Sequence, residues 1–134
     1  MDEASSMKKR VPTVMIIDDD DFARETLRAT LGEIGLTEVR MASNGREALN
    51  ILANKAEPPL DYLFIDVFMP DMDGIELINA LAPHKPSKGV FLVTGVNIET
   101  LSMAIELANG LDIKVLGAFT KPVQLRSLIS TIQI

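Results

Sequence analysis

Short, unbroken apolar runs alternate along the chain with longer stretches in which apolar residues recur every three or four positions. Leu63-Phe64-Ile65 and Phe91-Leu92-Val93 are apolar at both odd and even positions, as parallel strands covered on both faces are. Between such runs, Ala23, Leu27 and Leu31, and later Ala48, Leu49 and Leu52, keep helical spacing. The alternation predicts strands over 13–18, 37–42, 61–66, 89–94 and 114–120, and helices over 21–34, 45–56, 74–82, 98–109 and 123–133. Five strands each followed by a helix make an α/β, doubly wound domain with a parallel sheet. No repeat, linker or low-complexity stretch divides it, so one domain is expected over 12–134 after a polar lead-in at 1–11. In the fourth helix, Ile98, Leu101, Ile105 and Ala108 fit one buried face, with Met103 and Leu107 on another.

The chemistry gathers where the strands end. Val14-Met15-Ile16-Ile17 runs into Asp18-Asp19-Asp20-Asp21, and a buried strand seldom ends in packed like charge without a counter-ion. Tyr62-Leu63-Phe64-Ile65 ends in Asp66, the run 90–93 ends at Thr94, and the run from Val115 ends at Lys121-Pro122. If all four ends lie on one edge of a parallel sheet, they offer carboxylates, a hydroxyl and an ammonium together, a set suited to phosphate and metal chemistry. Taken singly each has an ordinary reading. Asp20 and Asp21 fit a helix start, Asp66 a turn, Thr94 a cap and Lys121 a surface charge. Their joint order at successive strand ends is what favours a site.

Composition narrows the classes. The chain has 134 residues, enough for one ordinary core. With no cysteine it has no disulfide frame and no thiolate metal site, which suits a cytoplasmic protein. The formal charge of -6 argues against direct nucleic acid binding by this domain. No apolar run approaches the about 18 residues of a membrane span, so no membrane association is expected.

With these residues in view, the sequence resembles the receiver domain of two-component response regulators over roughly 12–134. Asp18-Asp19, Asp66 with the following Met69-Pro70 and Asp73-Gly74, Thr94 and Lys121-Pro122 carry the resemblance. It implies a flavodoxin-like sheet of order 2-1-3-4-5. It implies that Asp66 accepts a phosphoryl group from a sensor histidine kinase or phosphotransfer protein, helped by Mg2+. Asp18, Asp19, Asp66 and the backbone carbonyl of Phe68 would hold the metal, Asp18 through bound water, while Thr94 and Lys121 would contact the phosphoryl oxygens. It implies a cis Lys121-Pro122 bond, and a signalling module rather than a stand-alone enzyme. The partner would be an output domain or downstream protein, with a possible homodimer through the last helices if Met103 and Leu107 are exposed. The ending Val115 to Pro122 also looks like receivers attached to cyclic-di-GMP phosphodiesterase domains.

The sequence departs from the family where an aromatic commonly precedes the lysine by three positions: that residue is Ala118, and Phe119, of opposite parity, is expected in the core. The interval from Thr94 to Lys121 is long for the family, suggesting an extended fourth helix or loop around 109–112. These departures motivate a rival reading, a degenerate receiver used as a phosphorylation-independent scaffold. A hydrolase is disfavoured because no triad, nucleotide loop or zinc motif is present. Asp71-Met72-Asp73-Gly74 lacks the further ligands of a calcium loop, and His84 is expected exposed and without a role. Apolar Phe68 and Val96 lie where receivers admit attacking water, so slow dephosphorylation is expected.

Overall fold

The computed structural model describes residues 11–54, 58–69, 74–95 and 98–132. The start of the expected lead-in, the loop 70–73, Val96 and the last two residues lie outside the described residues, as does the Ile98 side chain.

Five strands, β1 (Thr13–Ile17), β2 (Glu38–Ala42), β3 (Tyr62–Asp66), β4 (Gly89–Thr94) and β5 (Val115–Thr120), form one parallel sheet in the order β2-β1-β3-β4-β5. Every residue of β1, β3 and β4 is buried, which is why their sequences are apolar at both parities, whereas β2 and β5 at the edges are partly exposed. Five helices cover the sheet: α1 (Asp21–Glu33), α2 (Gly45–Leu52), α3 (Gly74–Ala80), α4 (Ile98–Gly110) and α5 (Leu125–Thr131).

Strand parity divides the core in two. Met15, Ile17, Leu63, Ile65, Val90 and Leu92 pack with Ala48, Leu77, Leu81, Ala104 and Ala108, so α2, α3 and α4 share one face. Val14, Ile16, Tyr62, Phe64, Phe91 and Val93 meet Leu27, Leu31, Leu128 and Ile132 of the α1 and α5 layer on the other. Phe119 joins this second layer as expected, in a row where Phe64 and Phe91 stack at 4.7 Å and Phe91 and Phe119 lie 5.7 Å apart. Leu107 corrects one expectation: it packs against the first core, because α4 rests on α3 as well as on the sheet and so needs a wider apolar stripe. Met103 is exposed.

Local chemistry fixes the helix ends. Asp20 caps α1 by accepting from the Phe22 and Ala23 N–H groups. Gly35, with φ of 89°, closes it while the Leu36 N–H reaches the Leu31 carbonyl. Asn44 caps α2, and Glu47 reaches back to the Ser43 N–H. Three helices are shorter than their periodicity predicts by two residues or more, and α1 by one. The end of α2 tightens as the Asn54 N–H turns to the Ile51 carbonyl, α3 gives way to a 3-10 turn over Ala82–His84, and extended Gln124 and Ile132 bracket α5. His84, in that turn, is half-buried rather than exposed. Past α3 and α5 the apolar pattern continues because Leu81 and Ile132 are still buried, whereas Ala53 and Asn54 after α2 are exposed.

The strand order places β1 between β2 and β3, so the connections leaving β1 and β3 diverge and a crevice opens at their carboxyl ends. Asp18, Asp66 and Thr94 come to that edge.

Candidate functional site

Asp66 is the last residue of β3 and is 4 % exposed. Its Oδ1 accepts from the Phe68 N–H at 3.0 Å, and its Oδ2 lies 3.1 Å from the Lys121 Nζ. The same ammonium lies 2.8 Å from Asp18 Oδ2, so one cation bridges the ends of β1 and β3 from the end of β5. Carboxylate oxygens of Asp18, Asp19 and Asp66 lie within 4.8 Å of one another. Thr94 ends β4, is 1 % exposed, and its Oγ1 has no hydrogen-bond partner among the described residues. Its carbonyl accepts the Lys121 N–H at 2.9 Å, which ties the hydroxyl and ammonium positions together through the backbone. The cleft lined by Asp19, Asp20, Asp66, Phe68, Thr94, Gly95 and Lys121 encloses about 320 Å³. All six residues expected at the site therefore converge, with the Phe68 ring exposed at its rim. The Lys121-Pro122 bond is cis.

Burial sets the electrostatics. Desolvation, with the Asp18 charge adding to it, pushes the Asp66 carboxyl up to about 6 against the opposing Phe68 N–H and Lys121. Burial alone would depress Lys121, but hydrogen bonds to Asp18 and Asp66 outweigh it and raise its pKa. The lysine therefore stays charged, while Asp66 carries an anion at a cost.

The sequence reading missed two features. Arg24 donates from Nη1 to the Asp18 carbonyl at 2.7 Å and pairs with Asp21. A contact from a helix back to a strand-end carbonyl leaves no trace in a hydrophobic pattern, although the three-residue spacing from Asp21 was legible. Beside the cleft, Phe22, Ala23, Thr26 and Leu27 of α1 face Pro122 and Val123 across a mainly apolar groove of about 320 Å³ that reaches Asp18 and Lys121.

Residues 14–133 match the family described as the response regulator receiver domain. This chain belongs to that family. The receiver is 35% identical over 122 residues to the transcriptional regulatory protein AruR of Pseudomonas aeruginosa, covering 90% of this chain and 47% of that one. It is 37% identical over 82 residues to a cyclic di-GMP phosphodiesterase of Thermotoga maritima, covering 61% of this chain and 21% of that protein. Among solved structures, it superimposes with a TM-score of 0.73, at 24% identity, on a response regulator from Burkholderia pseudomallei described with a phosphorylated aspartic acid, calcium ion and citrate. That match covers 91% of this chain and 66% of the other and shows the shared fold. The receiver thus spans from about a fifth to about half of these curated relatives. No helix among its described residues is long and apolar enough to cross a membrane. The comparisons give no support to the degenerate-scaffold alternative.

Proposed function

We propose that this receiver takes a phosphoryl group onto Asp66 from the phosphohistidine of a sensor histidine kinase or phosphotransfer protein, with Mg2+ as the assisting ion. The observation that carries the reading is the buried Asp66 carboxylate with Lys121 at 3.1 Å and two further carboxylates within 4.8 Å. An all-oxygen set of Asp18, Asp19 and Asp66, completed by the Phe68 carbonyl and water, suits a hard divalent cation. The unpartnered Thr94 hydroxyl suits a ligand with oxygens to offer.

In the proposed transfer an Asp66 oxygen attacks phosphorus, the bond from phosphorus to the donor imidazole nitrogen breaks, and the imidazole leaves with that electron pair. No general base is required, because the nucleophile is already an anion. Mg2+, when bound, would neutralise the clustered carboxylates and template the phosphoryl oxygens. Lys121, held beside Asp66 by its pairing with Asp18 and Asp66, turns from a carboxylate to one phosphoryl oxygen, and the Thr94 hydroxyl donates to another. Movement of Thr94 toward the new anion would carry the loop before α4 with it and shift the population of output surfaces. Ala118 is exposed and small, so this shift would proceed without an aromatic rotating behind Thr94. The output is an attached domain or a downstream protein in the cytoplasm. The likeness to a cyclic di-GMP phosphodiesterase supports an output of that class as one form it takes.

Intact-mass measurement after incubation with magnesium and acetyl phosphate tests the reading, beside an Asp66→Ala variant and a sample in chelator. One phosphoryl adduct that both controls abolish is expected. An adduct that persists in Asp66→Ala would move the acceptor elsewhere.

A further inference from the structure

We propose that Arg24 is a positioning residue that holds the turn carrying Asp18 and Asp19 in the shape a divalent cation requires; this rests on the reading of those two residues as ligands. The turn lies between the end of β1 and the start of α1, and its three aspartates run on into a fourth, Asp21, that opens the helix. Left to their own charge, four carboxylates in a row would spread apart.

Its two ends are nevertheless anchored. The Asp18 N–H donates to the Ala42 carbonyl at 3.1 Å, and Asp18 Oδ1 accepts the Asp20 N–H at 2.9 Å. At the far end, Asp20 caps α1. Arg24 spans the two ends: Nη1 donates to the Asp18 carbonyl at 2.7 Å while Nη2 pairs with Asp21. Its side chain is 15% exposed against 89% for Asp21, so the guanidinium lies inward, against the turn. A guanidinium presents several donors in a rigid fork, whereas an ammonium on a flexible stem reproduces the charge but not both contacts at once. Asp19, between the anchored ends, is exposed and has no partner among the described residues, and its carboxylate still lies within 4.8 Å of the Asp18 and Asp66 oxygens. The clamp fixes the backbone and leaves Asp19 free to meet an ion.

Charge and geometry predict opposite signs. Removing a cation beside an acidic cluster should tighten binding of a divalent ion, if charge alone matters. Removing a support for the ligand-bearing backbone should weaken it, by roughly tenfold for a partner of metal ligands.

The test is the dissociation constant for Mn2+, read from free Mn2+ by electron paramagnetic resonance, and for Mg2+ by calorimetry, in wild type, Arg24→Gln, Arg24→Lys and Arg28→Gln. Arg28 lies one turn further along α1 and pairs with exposed Glu25, so its variant removes the same charge without touching the turn. Arg24→Gln and Arg24→Lys should both bind roughly tenfold more weakly, with Arg28→Gln unchanged or slightly tighter and urea midpoints close to wild type. Unchanged or tighter binding in Arg24→Gln, or full retention by Arg24→Lys, would overturn the proposal. Absence of divalent binding by the wild type would instead overturn the reading on which it rests.

Discussion

Replacing Asp66, the proposed acceptor, should stabilise the metal-free protein. Asp66 sits at about 6 against an ordinary 3.8, so the folded chain holds its proton more tightly than the unfolded chain does. The stability this group contributes is therefore fully present below about pH 4 and is lost as pH rises through about 6. A shift of about 2 units at 1.36 kcal/mol each amounts to about 3 kcal/mol well above pH 6. Between pH 5 and 7 the linkage integral gives a loss of about 1 kcal/mol from this one carboxylate.

Asp66→Asn keeps the shape and removes the buried charge, but it also removes an ion pair with Lys121 and turns an amide toward that ammonium. The net gain in chelator at pH 8 should accordingly be about 1–2 kcal/mol, falling toward zero at pH 5. Urea denaturation followed by far-UV circular dichroism measures it, since the chain has no Trp and one Tyr. A variant no more stable than wild type at pH 8, or a difference that ignores pH, would refute the argument that desolvation and Asp18 outweigh Lys121. Saturating magnesium should shrink the difference, because a bound cation restores the value of the wild-type anion.

Lys121→Met should have the opposite effect, leaving Asp18 and Asp66 facing each other without their shared cation; a loss of roughly 2–4 kcal/mol at pH 8 is expected in urea melts, smaller at pH 5, and a pH-independent loss would point to packing instead. A Cβ on Gly117 would lie 2.7 Å from the Thr131 Cγ2 where α5 packs on β5, so Gly117→Ala should cost about 1–3 kcal/mol. Thr131→Ser in the same chain should recover most of that, and a double variant as unstable as the single would locate the strain elsewhere. Phe68→Ala should speed loss of phosphate from Asp66 several-fold, because the exposed ring stands at the rim of the cleft; decay of the phosphorylated mass after donor removal reads it, and an unchanged half-life contradicts the shielding role.

Strand positions were legible to within a residue because two-sided burial leaves so little choice of sequence: β1, β3 and β4 are buried throughout and read as continuous apolar runs. Helix ends were less legible because they are decided by backbone hydrogen bonds, such as the Asn54 N–H turning to Ile51, rather than by which residues are apolar. At the site, Asp18, Asp66, Thr94 and Lys121 each had an ordinary reading, and it was their position at strand ends that singled them out, since a parallel sheet brings all such ends to one edge. Arg24 escaped notice because its decisive partner is a main-chain carbonyl, which has no residue type. The surplus apolar position at Leu107 was misassigned for a related reason: a helix that packs against a neighbour as well as a sheet has two buried directions, and periodicity alone cannot say how wide its stripe should be.

The features that make this edge unfavourable to fold are also those that define what it can accept. Three carboxylates and one ammonium leave the cluster with two uncompensated negative charges when all are ionised, and the burial of Asp66 prevents water from screening them cheaply. A monovalent ion would leave half of that excess in place, whereas a divalent ion balances it. Once it is balanced, the Lys121 ammonium is no longer needed to offset two carboxylates and can turn its attraction to an incoming anion. The Thr94 hydroxyl, buried without a partner among the described residues, favours the same ligand, because an oxygen arriving beside Asp66 would satisfy that donor. On the proposed reading, cation and phosphoryl group each repair a defect that the other cannot, so binding of one should strengthen binding of the other, and the strain at the strand ends becomes the source of the coupling that a switch requires.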